Sequence, residues 1–364
     1  MLTKNDKITT PQTIVLIITT LIGVWITTLP ATLAEKSGPD SWLMVIIGGV
    51  ISVLGAAIVT STGRQFPEKT FIEYSVETLG VFGHLFNLGL IIYLVILTGM
   101  VVRIFGEVIK VFLLDRTPIE VIILTMLALC VYLTRHGIEP IARTAEVLLP
   151  ILMLPVIIIY LMIILFNGDL SNFMPFLRLD FKEIIAGTKA TVVSFLGFEV
   201  LLLFIPLMQN PHQSTYSSFV AILMVSILYL FVVVTVIAVL GIVETSLLIW
   251  PGISVLRMTE TAGTVFPRMD VVILSLWSIA GFTTISPMLF ASAFGISRIL
   301  KAREFKSFIV PLVPVAYMIA MFPKDVLEAR KAVEAVSNMG LFYIFVVPLL
   351  ILTAHWIRRR VLNR

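Results

Sequence analysis

Charge is scarce in this chain: only 13% of its 364 residues are Asp, Glu, Lys or Arg. A soluble domain carries about a quarter, and half that supply cannot build a polar shell. The shortage excludes a soluble enzyme and a disordered tail protein. It also excludes a nucleic-acid binder, which needs a basic patch on a soluble face. Cysteine is rarer still. Cys130 is the single one and lies in an apolar run, so no intrachain disulfide forms. The four histidines, His84, His136, His212 and His355, are scattered, and no His/Cys cluster has metal-ligand spacing. No P-loop, nucleophile–base pair or cofactor motif occurs, so ATP-driven transport and membrane enzymology lack support and no cofactor is expected. There is also no Ser/Gly-rich or acidic low-complexity tract.

What the chain has in excess is apolar surface, with 59% hydrophobic residues and a mean hydropathy of +1.05. That composition describes an all-α polytopic membrane protein. Charges and Pro/Gly punctuation divide it into ten candidate transmembrane helices, at 11–33, 41–63, 84–113, 119–134, 146–167, 185–208, 217–243, 270–297, 307–323 and 338–357. The charge-free stretch 8–34 is long for a secretory h-region, so it is expected to be an uncleaved first helix. Basic residues lean toward one set of loops, and Arg358-Arg359-Arg360 favours a cytoplasmic C-terminus. An even number of spans then places both termini in the cytoplasm. Between spans, 70–79 follows Phe66-Pro67 and has the pattern of an interfacial helix. Segments 244–268 and 324–337 are expected to be amphipathic pieces on the outer side.

Two spans are interrupted at matching places. Gly23 falls near the middle of span 1 and Gly197 near the middle of span 6. Spans 1 and 6 lead two successive sets of five, 11–167 and 185–357, within a single membrane domain covering 1–364. A broken helix leading each half is the pointer to an inverted-repeat transporter core with a ligand at the breaks. Amides freed after Gly23 would face a carboxylate, and carbonyls freed around Phe195–Gly197 would accept from an ammonium group. Glycine also serves plain helix packing in membranes.

Four charges remain inside the spans. Arg103, Glu107 and Lys110 share one face of span 3. Glu107 either lines a watery vestibule, with a gating or proton-carrying role, or forms a structural ion pair with Arg103 while Lys110 snorkels outward. Glu199 either caps the second half-helix of span 6 or acts as a proton or gating group. In span 8, Thr283-Thr284-Ile285-Ser286-Pro287 either completes a substrate or sodium site or bonds back to the i−4 carbonyls around a proline kink.

Phe195-Leu196-Gly197-Phe198-Glu199 is similar to the sixth-helix pattern of the amino acid–polyamine–organocation transporter superfamily. Phe66-Pro67-Glu68-Lys69-Thr70-Phe71-Ile72-Glu73-Tyr74, and the run from Gly137 to Glu146, resemble the spore germination receptor B subunit family. The resemblance covers nearly the whole chain. It implies a LeuT-like fold of ten transmembrane helices in a 5+5 inverted repeat, with helices 1 and 6 broken. It further implies a non-enzymatic receptor subunit of the spore inner membrane that senses an amino acid or similar nutrient. Its implied partners are a larger A subunit and a lipoprotein C subunit, with no nucleic acid. Carried over, the substrate-binding positions are Thr20, Gly23, Phe195, Gly197, Phe198 and Thr284. The alternative is an H⁺- or Na⁺-coupled amino-acid transporter.

Overall fold

A computed structural model describes residues 7–23, 25–175, 180–261 and 269–362. These form helices α1 (Thr10–Ile22), α2 (Trp25–Ser37), α3 (Ser41–Arg64), α4 (Phe71–Leu79) and α5 (Val81–Phe112). Next come α6 (Ile119–Thr134), α7 (Ile138–Asn167), α8 (Phe181–Ser194), the single turn α9 (Leu201–Phe204) and α10 (Ser214–Leu247). The chain closes with α11 (Pro251–Thr261), α12 (Met269–Ile299), α13 (Lys306–Met321), α14 (Val326–Leu341) and α15 (Val347–Leu362). Among the described residues there is no β-strand, only an isolated bridge between Ile8 and Met208. Among the described residues, six stretches are long and apolar enough to cross a membrane. A seventh appears if the bent pair Phe181–Ser194 and Phe198–Leu207 counts as one span, and α1, α6 and α13 are shorter apolar helices. The protein is therefore an integral membrane protein.

Local chemistry sets the helix starts. Capping boxes open α1 (Thr9 with Gln12), α4 (Thr70 with Glu73) and α8 (Asp180 with Glu183), each meeting N–H groups that no helical carbonyl reaches. At the far end of α10, Gly241 adopts φ 72° and kinks the helix. The kink exposes the Ala238 carbonyl, which accepts from the Asp169 backbone N–H (2.8 Å) and from Asn172 Nδ2 (2.9 Å). Backbone polarity released in a membrane helix must be met internally, and here the loop after α7 meets it.

Both described chain ends lie at one end of the bundle. Ile8 pairs with the segment after α9, Thr62 at the end of α3 donates to the Pro348 carbonyl (3.3 Å), and Arg358 donates to the Glu77 carbonyl (2.7 Å). The expected helix over 70–79 forms as α4 and is tied down by a buried amide. Asn87 of α5 donates to the Ile72 carbonyl (2.8 Å) and accepts from the Ser75 hydroxyl (2.7 Å).

Two boundaries differ from expectation. The fifth span begins at Ile138 rather than 146, because Glu139 and Arg143 pair one turn apart (2.6 Å) and carry the helix through its charged start. Segment 324–337 is no separate outer piece. α14 runs through a π-helical turn, Phe342–Val346, straight into α15, so the last helix extends well beyond 338–357. Its Ala329, Val333 and Ser337 are buried, and α14 packs on α5 and α8.

Replacing Asn87 by Leu should destabilise the protein by about 1–3 kcal/mol, because the Ser75 hydroxyl keeps only the long contact to the Ile72 carbonyl (3.4 Å) and that carbonyl loses the amide donor. Thermal melting of purified protein in detergent reads this, and the double change with Ser75→Ala should cost less than the sum of the single changes. An additive double variant would show that the two side chains do not act as a pair.

Candidate functional site

α1 ends at Ile22 and α2 starts at Trp25, while α8 ends at Ser194 and the chain turns by 53° before Phe198–Leu207. The breaks fall at the glycines for reasons of space and backbone shape. A Cβ on Gly23 would sit 2.3 Å from Thr284 Oγ1 of α12, far inside contact distance. Gly197 has φ +135°, which side chains disfavour, and its Cβ would lie 2.9 Å from the Thr20 carbonyl oxygen. The first contact brings α12 onto the break of α1. The second presses one break onto the other.

Freed backbone groups at the breaks are met by side chains from the surrounding helices. The Tyr229 hydroxyl of α10 lies 2.7 Å from the Leu21 carbonyl and 3.1 Å from the Ser194 carbonyl, one from each broken helix. Thr284 donates to the Thr19 carbonyl at 2.7 Å. Its neighbours Thr283 and Ser286 do what the sequence alternative described and bond back to the carbonyls of Ile279 and Phe282. The Gly197 N–H donates to Glu199 Oε2 (2.6 Å), and the Tyr93 hydroxyl of α5 donates to Oε1 (2.5 Å). Glu199 is thus a buried carboxyl that caps the break and reaches across to α5. Gly340 of α14 makes room for that tyrosine, since a Cβ there would meet the Tyr93 hydroxyl at 2.5 Å.

Five of the six expected binding positions therefore converge. Thr20 meets Gly197, Gly23 meets Thr284, and the Phe195 ring lies 5.1 Å from that of Tyr229. Phe198, the sixth, is buried in the first turn after the break. All four of the side chains among them are shut away from solvent. Above them, at the end of the bundle opposite the chain termini, is a cavity of ≈ 420 Å³. Trp25 and Ser194, which flank the two breaks, line it together with charged groups of α2, α8 and α14. Lys36, Lys189, Arg330 and Lys331 outnumber Glu35 and Glu334, so the cavity is cationic. A Lys36–Glu334 pair (3.4 Å) ties α2 to α14.

Arg103 and Glu107 lie elsewhere. Of this stretch of α5 the cavity takes Ile104, and neither charged residue lines it. The Arg103 guanidinium holds Glu107 through Nε (2.8 Å) and Nη2 (2.7 Å), and through Nη1 it donates to the carbonyls of Ala320 (2.9 Å) and Pro323 (2.7 Å). It clamps the end of α13 to α5. Lys110 is half-buried on the same helix. Tyr93 and Tyr229 were missed by a search for charges and glycines. The available signal was a tyrosine inside an apolar span, which carries a hydroxyl that must find a partner. Among the described residues no group of three or more His, Cys, Asp or Glu could hold a metal.

Residues 7–329 match the family described as spore germination protein. The chain is 30% identical over 365 residues to the spore germination protein YndE of Bacillus subtilis (strain 168), covering 99% of each. It is 25% identical over 364 residues to spore germination protein B2 of the same organism, covering 98% of each. Among solved structures it resembles Mhp1, a nucleobase-cation-symport-1 family transporter in a closed conformation with bromovinylhydantoin bound. The TM-score is 0.64 at 14% identity, over 95% of this chain and 82% of that one. This likeness shows the fold, a LeuT-like helical bundle. The two meeting breaks, the capped Glu199 and the cationic cavity above them are carried by a chain that belongs to the spore germination protein family.

Proposed function

We propose that this chain is the nutrient-sensing membrane subunit of a germination receptor and that its ligand is an amino acid or a similar small molecule bound at the two breaks. The observation that carries the reading is the sharing of one proton between two carbonyls. The Tyr229 hydroxyl has one proton and lies within reach of both Leu21 O and Ser194 O, so it donates fully to only one of them at a time. An ammonium group has three donors and would satisfy both. The excess of Lys and Arg in the cavity above attracts the carboxylate of the same molecule. Thr20, Gly23, Phe195, Gly197, Phe198 and Thr284 form the walls of the site. Glu199, bridged to Tyr93, is its gating or proton-accepting group, and Arg103 with Glu107 holds the scaffold against which the broken helices move.

In this reading the chain crosses the membrane ten times, in halves 11–167 and 185–357, with both termini in the cytoplasm and the cavity facing outward. It resides in the spore inner membrane beside a larger A subunit and a lipoprotein C subunit. Ligand binding favours one arrangement of the broken helices, and the difference in contacts passes to those partners. The names of its relatives support the germination role. A second reading, an H⁺- or Na⁺-coupled amino-acid transporter, draws on the cavity that opens at one end and stops at the breaks, as alternating access requires. Uptake of labelled amino acid into proteoliposomes separates the two. Accumulation driven by an ion gradient would replace the sensing-only reading.

Replacing Gly23 by Val should abolish the nutrient response of spores at normal protein level, because the added Cβ falls on Thr284. A surviving response would move the site away from the breaks. Replacing Tyr229 by Phe removes the hydroxyl that competes with the ligand for Leu21 O and Ser194 O. The half-saturating nutrient concentration should fall, by about tenfold if the competing bond is worth ~1.4 kcal/mol. A rise instead would make Tyr229 a direct ligand contact.

A further inference from the structure

A second cavity lies at the other end of the bundle, between α3 and α10, on the side of the chain termini. Its volume is ≈ 420 Å³, and Val53, Ala57 and Phe219 form its apolar walls while Arg64 and His212 stand at its mouth. A smaller polar cavity beside it shares Arg64 and His212 and adds Ser61 and Gln65. Among the described residues no acidic one lines either cavity. Arg64 is exposed and belongs to none of the ion pairs among the described residues. Instead its Nη1 donates to Thr215 Oγ1 (3.4 Å), which bonds in turn to Thr60 Oγ1 (3.0 Å), so the guanidinium is tethered across the groove from α3 to α10. An arginine at a helix end could simply snorkel into water. This one is held over a slot instead.

The slot continues into the apolar layer. Val50 and Leu54 of α3, with Phe219 and Leu223 of α10, are exposed hydrophobics in line with it. From Arg64 back to Val50 the helix rises about 21 Å. One leaflet of the hydrocarbon core is about 15 Å thick, half of the whole. The groove is long enough to take an acyl chain with its headgroup at the basic mouth.

We propose that α3 and α10 form a binding site for an anionic phospholipid. Its phosphodiester is held by the Arg64 guanidinium, whose forked N–H groups match two phosphate oxygens, and by His212. One acyl chain lies along Val53, Ala57 and Phe219. Basic pockets between membrane helices hold anionic headgroups in this way, and the site is separate from the breaks and from any nutrient.

Native mass spectrometry of the purified full chain in detergent, titrated with phosphatidylglycerol or phosphatidylcholine, tests the assignment. The unaltered chain should retain one phosphatidylglycerol and markedly less phosphatidylcholine. Arg64→Gln should weaken phosphatidylglycerol about fivefold, the effect of one basic residue at a membrane surface. Ala57→Trp, which fills the slot and leaves the basic mouth intact, should weaken it as well. Arg143→Gln, an exposed arginine on another helix, should change nothing. Melting curves of all variants check that each is folded, and Arg64→Lys serves as a second headgroup variant if Arg64→Gln is not. Equal retention by Arg64→Gln or Ala57→Trp, or equal affinity for phosphatidylcholine, would overturn the proposal. So would displacement of the lipid by millimolar inorganic phosphate, which would make the mouth a free-anion site.

Discussion

A backbone carbonyl in the middle of a membrane has to find a donor, and the centre of this structure is organised around two that share one. Leu21 and Ser194 are 173 residues apart in a chain of 364, yet their carbonyls meet the same tyrosine hydroxyl. Breaking a helix in hydrocarbon costs several kcal/mol for each group left bare. The breaks therefore exist only because α10, α12 and α5 bring hydroxyls to them. The glycines follow from the same constraint, because the hydroxyls reach the backbone only if no side chain stands between.

The kink in α10 shows the alternative solution. There the Ala238 carbonyl takes two donors, a backbone N–H and a side-chain amide from the same short loop. Two donors for one acceptor make a settled joint. One proton for two acceptors makes an unsettled one. Under the proposed function, the difference separates a bend that only shapes the fold from a break with acceptor capacity left for a cationic group. Glu199 sits at the break yet is of the first kind: its two oxygens receive separate donors, one from Gly197 and one from Tyr93 of a neighbouring helix. Any shift of the break is felt by α5 through that carboxyl.

Much of this was legible in the chain. Long apolar runs name the membrane helices because hydropathy needs no partner to be read, and a glycine amid such a run marks a weak point. The charge-based boundaries failed where charge had an unseen use. Arg330, Lys331 and Glu334 made 324–337 look like a separate surface segment, but they line the open cavity at the end of the bundle on a helix that continues without a break into the last span. Tyr93 and Tyr229 escaped because a tyrosine counts as apolar in a hydropathy scan while its hydroxyl acts on groups 106, 208 and 35 residues away. The three hydroxyls of 283–286 look alike in sequence. That Thr284 alone crosses to α1 depends on the approach of Gly23, a fact of packing that no local pattern contains.

The two ion pairs at the end opposite the termini show which contacts hold and which give. Arg103 is buried and its carboxylate partner Glu107 lies on the same helix, so separating α5 from α13 keeps that pair and breaks the two bonds to the Ala320 and Pro323 carbonyls, at about 1.5–3 kcal/mol each. Lys36 and Glu334 meet at 3.4 Å with side chains 31% and 64% exposed, and such a pair contributes about 0–1 kcal/mol. The bond between α2 and α14 across the cavity is therefore the cheap one. The link between α2 and α14 is the weaker of the two, and α2 is the helix whose first residue, Trp25, borders the break. The weak contact at the rim is thus on the helix that begins next to the Leu21 carbonyl, one of the two that share the Tyr229 hydroxyl.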